Sequence, residues 1–321
     1  MKAVALLGYL LWLLFVPLGA ANAQAYPTKP VTVVVPFPPG GSSDVIARLI
    51  NAKLTEAFKQ NFLADNRPGA GTLIGTTYVA KAAPDGYTLL LADVPFTVNP
   101  TVMASATYDP VKDFTPITIV GASAQFLYAN PSRMKSLAEL LTAAKAKPGQ
   151  VTVATAGNGT TTHLMTEMLQ AGAGVRLLQV PYKGSAPALN DAAAGHVDAV
   201  FSTLASAAPL VSAGKLRVIA VTSQSRLPQF ADVPTFSEVG IKDLVVEHWW
   251  GLLGPAGMPR DIVQRLQNEI AKAVAAPDVR ERFNALSVEP RTGTPEYFSG
   301  IIDSYVKRWA RVVKENNIKV E

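Results

Sequence analysis

One local plan occurs twice in the chain, and it restricts the fold more than any other feature. Val31-Thr-Val-Val-Val runs into Pro38-Pro-Gly-Gly-Ser-Ser, and Val151-Thr-Val-Ala-Thr runs into Gly157-Asn-Gly-Thr-Thr-Thr. A short β-branched run is the mark of a strand buried on both faces. Each run ends in a glycine-rich turn that opens a Ser/Thr-started helix. After the first turn, Ser42 or Ser43 can cap a helix whose apolar positions are Ile46, Leu49, Ile50, Leu54 and Phe58. Asn66-Arg67-Pro68-Gly69 is turn chemistry, followed by a Gly/Ala/Thr helix and a strand at 87–91. This reads as a βαβαβ unit, hence a parallel sheet with right-handed crossovers. A second unit begins near Gln125, with strands expected at 126–129, 151–155, 177–180, 197–201 and 216–221. The C-terminal part is helical. Ile262, Val263, Leu266, Ile270 and Val274 form one apolar face, and Thr294-Pro295-Glu296 starts a helix. Its residues Phe298, Ile301, Ile302, Tyr305, Trp309 and Val312 are assigned to core, as are Trp249 and Trp250.

The 321 residues suffice for about two domains at roughly 150 residues each. The absence of cysteine excludes a disulfide framework, Cys-ligated zinc or iron–sulfur clusters, a thiolate nucleophile and lipid anchoring at an N-terminal cysteine. The net charge of +5 comes without a basic run, so no nucleic-acid partner is read. Lys2, an uncharged apolar stretch broken at Pro17 and Gly19, and the ending Ala21-Asn-Ala23 describe a secretory leader over 1–25. Cleavage after Ala23 or Ala25 is equally readable, and an exported, freely diffusing periplasmic protein is expected.

The two glycine-rich loops carry the chemistry. A strand that runs through glycines into a helix leaves backbone N–H groups unpaired at the positive end of the helix dipole, which favours an anion. The residues concerned are Phe37, Gly40, Gly41, Ser42 and Ser43 in one loop, and Ala156, Gly157, Asn158, Gly159, Thr160 and Thr161 in the other. Neither loop contains Lys or Arg, so recognition would rest on amides, hydroxyls and water. A helix N-terminus contributes about 0.3–1 kcal/mol to an anion, whereas micromolar binding needs roughly −8 kcal/mol. Apolar burial must supply much of the rest, with Phe37, Pro95, Phe96 and Tyr182 as its candidates. No catalytic arrangement is read: Gly69-x-Gly71-x-x-x-Gly75 lacks the downstream acid of a nucleotide loop, and Ser132-Arg-Met-Lys135 lacks companion motifs. His163, His196 and His248 do not form a local metal motif, and no cofactor is expected. His163 is assigned a local packing or hydrogen-bonding role, and Asp44 that of a helix-start carboxylate.

Ordered motifs cover nearly the whole mature chain. They are Tyr26-Pro-x-Lys-Pro, Pro36-Phe-Pro-Pro-Gly-Gly-x-x-Asp44, Asn66-Arg-Pro-Gly-Ala-Gly71 and Pro84-Asp-Gly-Tyr-Thr88. Ala156-Gly-Asn-Gly-Thr160, Val180-Pro-Tyr-Lys-Gly-Ser185, Asp232-Val-Pro-Thr235 and Gly254-Pro-Ala-Gly257 follow. This pattern resembles the Bug-type periplasmic solute receptors of tripartite tricarboxylate transporters. The resemblance implies an α/β, two-lobed type II periplasmic binding protein (a Venus flytrap), each lobe a mixed, mostly parallel sheet flanked by helices. It implies lobe 1 from 26–123 plus 248–321 and lobe 2 from 124–247, with crossings near 121–125 and 247–251. A ligand carboxylate would be held between loops 37–43 and 156–161, with Pro95-Phe96 and Ser202-Thr203 at its far end. Many relatives carry an acid where this chain has Ser202, which favours a dicarboxylate, tricarboxylate or aromatic carboxylate over an amino acid. The implied role is a monomeric, non-enzymatic receptor that hands its ligand to membrane permease subunits. A ligand-dependent partner of a two-component sensor kinase is the alternative, and a periplasmic enzyme is a third reading.

Overall fold

A computed structural model describes residues 26–315; the expected leader over 1–25 lies outside the described residues. The first lobe opens with β1 (Val31–Val35), α1 (Ser42–Phe58), β2 (Phe62–Asn66), α2 (Leu73–Ala80), β3 (Thr88–Asp93), α3 (Pro95–Val102) and β4 (Phe114–Ala124). The second sheet then takes over with β5 (Phe126–Ala129), α4 (Leu137–Ala146), β6 (Thr152–Thr155), α5 (Thr161–Ala173) and β7 (Leu178–Pro181). It ends with α6 (Ser185–Ala194), β8 (Ala199–Ser202), α7 (Leu204–Ser212) and β9 (Arg217–Val221). The chain returns through β10 (Glu247–Pro255), α8 (Arg260–Ala275), α9 (Pro277–Ala285), β11 (Glu289–Pro290) and α10 (Pro295–Glu315).

The two sheets have strand orders β11-β4-β10-β3-β1-β2 and β7-β6-β8-β5-β9. Each contains a parallel triplet, β2-β1-β3 or β7-β6-β8, bordered by antiparallel strands. The repeat seen in the sequence is therefore a repeat of topology, with β1 and β6 as the central strands of the two triplets. The architecture of two mixed sheets flanked by helices is as expected. Strands β2, β4, β10 and β11 go beyond the strands expected from the sequence; β2, next to the expected turn, pairs in parallel with β1 from Val31↔Phe62 to Val35↔Asn66.

Local chemistry explains the elements. All but one residue of β1 is fully buried, as a β-branched strand in a parallel sheet requires. The α1 face made by Ile46, Ile50, Leu54 and Phe58 packs with Val263, Leu266 and Ile270 of α8. Strand β10 alternates: Trp249 and Leu253 join the cluster of Phe298, Ile302 and Trp309, while Trp250 and Leu252 face the α1–α8 layer. Ile301 and Tyr305 are only partly buried against that cluster. A Cβ on Gly251 would fall 2.2 Å from the Phe298 ring, so α10 docks closely only because that residue is glycine. Strands β4 and β10 are antiparallel neighbours, paired from Glu247↔Ala124 to Pro255↔Phe114 with register shifts at Trp250/Gly251 and Leu252/Leu253. Where they end, the chain passes from the first sheet into the second at Gln125.

Candidate functional site

In both triplets the first strand ends at a loop whose shape depends on glycine. Gly40 has φ +83°, and Gly41, rather than Ser42 or Ser43, occupies the N-cap of α1. The expected serine cap is absent because both serines lie inside the first turn, where Ser43 Oγ reaches across to Asp93. Asp44 braces the loop. It accepts from Gly40 N–H at 3.0 Å, Arg48 Nε at 3.0 Å and Asn66 Nδ2 at 2.9 Å, while Asn66 also donates to the Phe37 carbonyl. Burial pushes the Asp44 carboxyl up, but the hydrogen bonds from Arg48, Gly40 and Asn66 outweigh it and hold the group below its ordinary value. This is a helix-start carboxylate tied to structure.

The second loop is stitched by its own side chains. Thr160 Oγ1 donates to the Gly157 carbonyl at 2.6 Å, and Ala156 N–H donates to Thr162 Oγ1 at 2.8 Å. Gly159 N–H donates to His163 Nδ1 at 3.2 Å. Burial lowers the His163 pKa, which keeps Nδ1 available as that acceptor and gives His163 its local role.

The two loops face one another across a cavity at the carboxyl ends of the parallel strands, where doubly wound sheets hold their ligands. Five helices begin at its wall. Gly41, Ser42 and Ser43 come from the start of α1, Pro95 from α3, Thr160, Thr161 and Thr162 from α5, Ser185 from α6, and Ser202 and Thr203 from the entry to α7. Asp93, Gln125 and His248 form the floor. Among the lining residues there is no Lys or Arg. The cavity volume is about 40 Å³, on the order of one or two waters. That volume is far below the several hundred Å³ typical of an organic-ligand pocket.

The polar groups at this wall are incompletely paired. Thr161 Oγ1, Thr203 Oγ1, Gln125 Oε1 and His248 Nε2 are buried with no hydrogen-bond partner. Four orphaned polar atoms around one cavity are a concentration that ordinary cores avoid. They lie beside helix starts whose own N–H groups lack intrahelical acceptors.

Some expected site residues sit elsewhere. Phe96 is 2% exposed and packs into the first lobe's core, stacked on Tyr108 at 5.6 Å and edge-on to Phe114 at 4.9 Å, so its ring does not face the cleft. Gly157, Asn158 and Tyr182 line an outer groove of about 620 Å³ at the mouth, together with Gly71 and Met103. The Tyr182 hydroxyl donates to Asp191 Oδ2 at 2.6 Å, and burial with that bond pushes its pKa up to about 12. Gly40 and Gly159 lie on the seam between lobes: a Cβ on Gly159 would fall 2.9 Å from Met103 Sδ, and one on Gly40 would fall 3.8 Å from the Ala186 methyl. Asp93, Gln125, Thr162, Ser185 and His248 also line the cavity, beyond the residues expected from the sequence. Asp93 ends the apolar strand β3, and His248 is a buried polar residue one position inside β10, which is the signal the sequence offers.

A model of the tripartite tricarboxylate transporter family receptor matches residues 46–318. Protein BugT of Bordetella pertussis is 37% identical over 303 residues, covering 94% of this chain and 93% of that protein. A protein from the tcbD-tcbE intergenic region of Pseudomonas sp. (strain P51) is 39% identical over 298 residues, covering 92% of this chain and 89% of its own. Among solved structures, the periplasmic binding protein BugD matches with TM-score 0.88 and 33% identity, over 92% of this chain and 100% of that one. A Rhodopseudomonas palustris protein with adipate matches with TM-score 0.88 and 34% identity, over 92% and 99% of the two chains. MatC from the same organism, with bound malate, gives TM-score 0.85 and 31% identity, over 90% and 100%.

Proposed function

The chain belongs to the tripartite tricarboxylate transporter receptor family, whose members are binding proteins and not enzymes, and from that premise we propose that it captures an organic carboxylate between its lobes. The observation that carries this reading is the convergence of five helix N-termini, drawn from both lobes, on one cavity with unpartnered hydroxyls. Such a wall supplies N–H donors and positive helix ends to a carboxylate. Five dipoles at about 0.3–1 kcal/mol each do not reach the roughly −8 kcal/mol of micromolar binding. Hydrogen bonds from Thr161 and Thr203 and burial against Phe37 and Pro95 supply the remainder. Relatives of the same fold that hold adipate and malate support a carboxylate of that size.

Segments 26–123 with 248–321, and 124–247, move as two bodies about the paired strands β4 and β10. Ligand contacts to both bodies shift the population toward the closed form. The exported protein, freed of residues 1–25, hands its carboxylate to permease subunits in the membrane. Thermal unfolding of the purified protein against dicarboxylates, tricarboxylates and aromatic carboxylates tests this. One chemical class is expected to raise the midpoint at millimolar concentration, and a panel without any such shift refutes the proposal.

A further inference from the structure

The cavity floor carries chemistry that anion binding at helix starts does not use. Asp93 ends β3, Gln125 stands between β4 and β5, and His248 lies on β10, so strand order brings three distant segments together. Asp93 is 2% and His248 5% exposed, and they are the titratable side chains among the lining residues. Ser43 Oγ donates to Asp93 Oδ2 at 2.7 Å, and His248 Nε2 lies 3.5 Å from the same oxygen. The Gln125 amide nitrogen is 3.0 Å from His248 Nδ1. With that amide donating, Nδ1 accepts and Nε2 carries the ring hydrogen, which finds no acceptor. Asp93 Oδ1 accepts no hydrogen bond from any described residue. The floor thus presents an unused acceptor on Asp93, another on Gln125 Oε1 and an unused donor on His248.

A second ligand carboxylate placed there would meet Asp93 as a like charge. An ammonium could donate to Asp93, but it has no lone pair for His248 Nε2–H and would face the positive ends of five helices. A hydroxyl donates and accepts at once and brings no charge. Resting on the reading of the cleft as a carboxylate site, we infer that Asp93, Gln125 and His248 determine specificity by selecting a hydroxycarboxylate. Its carboxylate lies at the helix starts, and its hydroxyl donates to Asp93 and accepts from His248.

Calorimetric titration of length-matched pairs tests this, using succinate against malate and glutarate against 2-hydroxyglutarate, with aspartate as the ammonium analogue. In the native protein the hydroxylated member should bind at least about tenfold more tightly, the size of one hydrogen bond to a charged group. Asp93→Asn keeps an acceptor for Ser43 and should bring each ratio within about threefold while binding of the plain dicarboxylate survives. His248→Gln should compress the ratio in the same way and serves if Asp93→Asn does not fold. Plain dicarboxylates binding as tightly as their hydroxy analogues, aspartate outcompeting malate, or an unchanged ratio in both variants overturns the inference. Binding without hydroxyl preference refutes this inference alone, whereas no binding by any carboxylate refutes the receptor reading with it.

Discussion

Gly71 offers a test of lobe closure that separates it from stability. Its backbone is left-handed, at φ 58° and ψ 34°, and a Cβ there would fall 2.8 Å from the carbonyl oxygen of Asn158 across the seam. Ordinary van der Waals contact begins near 3.4 Å, so the methyl of Gly71→Ala lacks about 0.6 Å of room. The obstacle cannot rotate away, because it is backbone in a loop held by the Thr160–Gly157 and Gly159–His163 hydrogen bonds. The substitution therefore has two separable costs. The left-handed conformation costs about 1–2 kcal/mol whenever the protein is folded. A Cβ would also sit 3.2 Å from Sδ of Met103 in the same lobe, a flexible side chain that can yield. The clash with the Asn158 backbone, about 1–3 kcal/mol of overpacking, acts only when the lobes are closed. Since apparent affinity scales with the population of the binding-competent form, the second cost weakens binding about 5- to 150-fold. Gly174 supplies the control: it is left-handed at φ 62° and ψ 41°, and a Cβ there meets nothing within 4 Å. Calorimetric titration with a carboxylate that binds the native protein, beside thermal unfolding of the ligand-free proteins, should show similar stability losses for Gly71→Ala and Gly174→Ala. Only Gly71→Ala should lose affinity. Affinity within twofold of native in Gly71→Ala, or an equal loss in Gly174→Ala, would refute closure over this seam.

Thr161 leaves its hydroxyl buried and unpartnered, so Thr161→Val should stabilise the ligand-free protein by up to about 1 kcal/mol and weaken carboxylate binding roughly tenfold; unchanged affinity in titration would remove Thr161 from the site. The Asp44 carboxyl is depressed in the folded state, so its contribution is complete above the ordinary carboxylate value and is lost as pH falls through the folded value. Denaturant midpoints of native protein and Asp44→Asn should therefore differ at neutral pH and converge as pH falls through the depressed folded value, and a gap that does not shrink on acidification would contradict this assignment.

The sequence revealed most where a single segment carried the whole signal. Strand β1 and the two glycine turns were legible because β-branched burial and left-handed backbone are local demands. Strand β2 escaped notice because its Ala-Asp-Asn half is polar and runs straight into the turn at 66–69. An aromatic directly after a strand, as Phe96 is, suggests a cleft residue, but α3 turns its ring inward against Tyr108 and Phe114. Asp93, Gln125 and His248 share no spacing that a linear reading could find. Their meeting depends on β10 returning between β3 and β4, a pairing across more than a hundred residues. Gly71 belongs to a recognisable sequence motif, yet its approach to Asn158 exists only once two lobes face each other.

Because the cavity is walled by helix starts and not by lysine or arginine, its attraction for anions is short-ranged. The partial charges of a helix end act within its first turn, whereas a full charge reaches about 10 Å at 0.1 M salt. At the mouth the one full positive charge among the described residues lining the outer groove is Lys183, so any ionic-strength dependence of capture should trace to that residue and vanish in Lys183→Gln. Release follows the same logic in reverse. Parting the lobes withdraws the α5, α6 and α7 dipoles together, so the grip weakens by separation alone, with no ion pair to a basic side chain of the cavity wall to break. Handing over the cargo then becomes a mechanical event, governed by whatever prises the lobes apart.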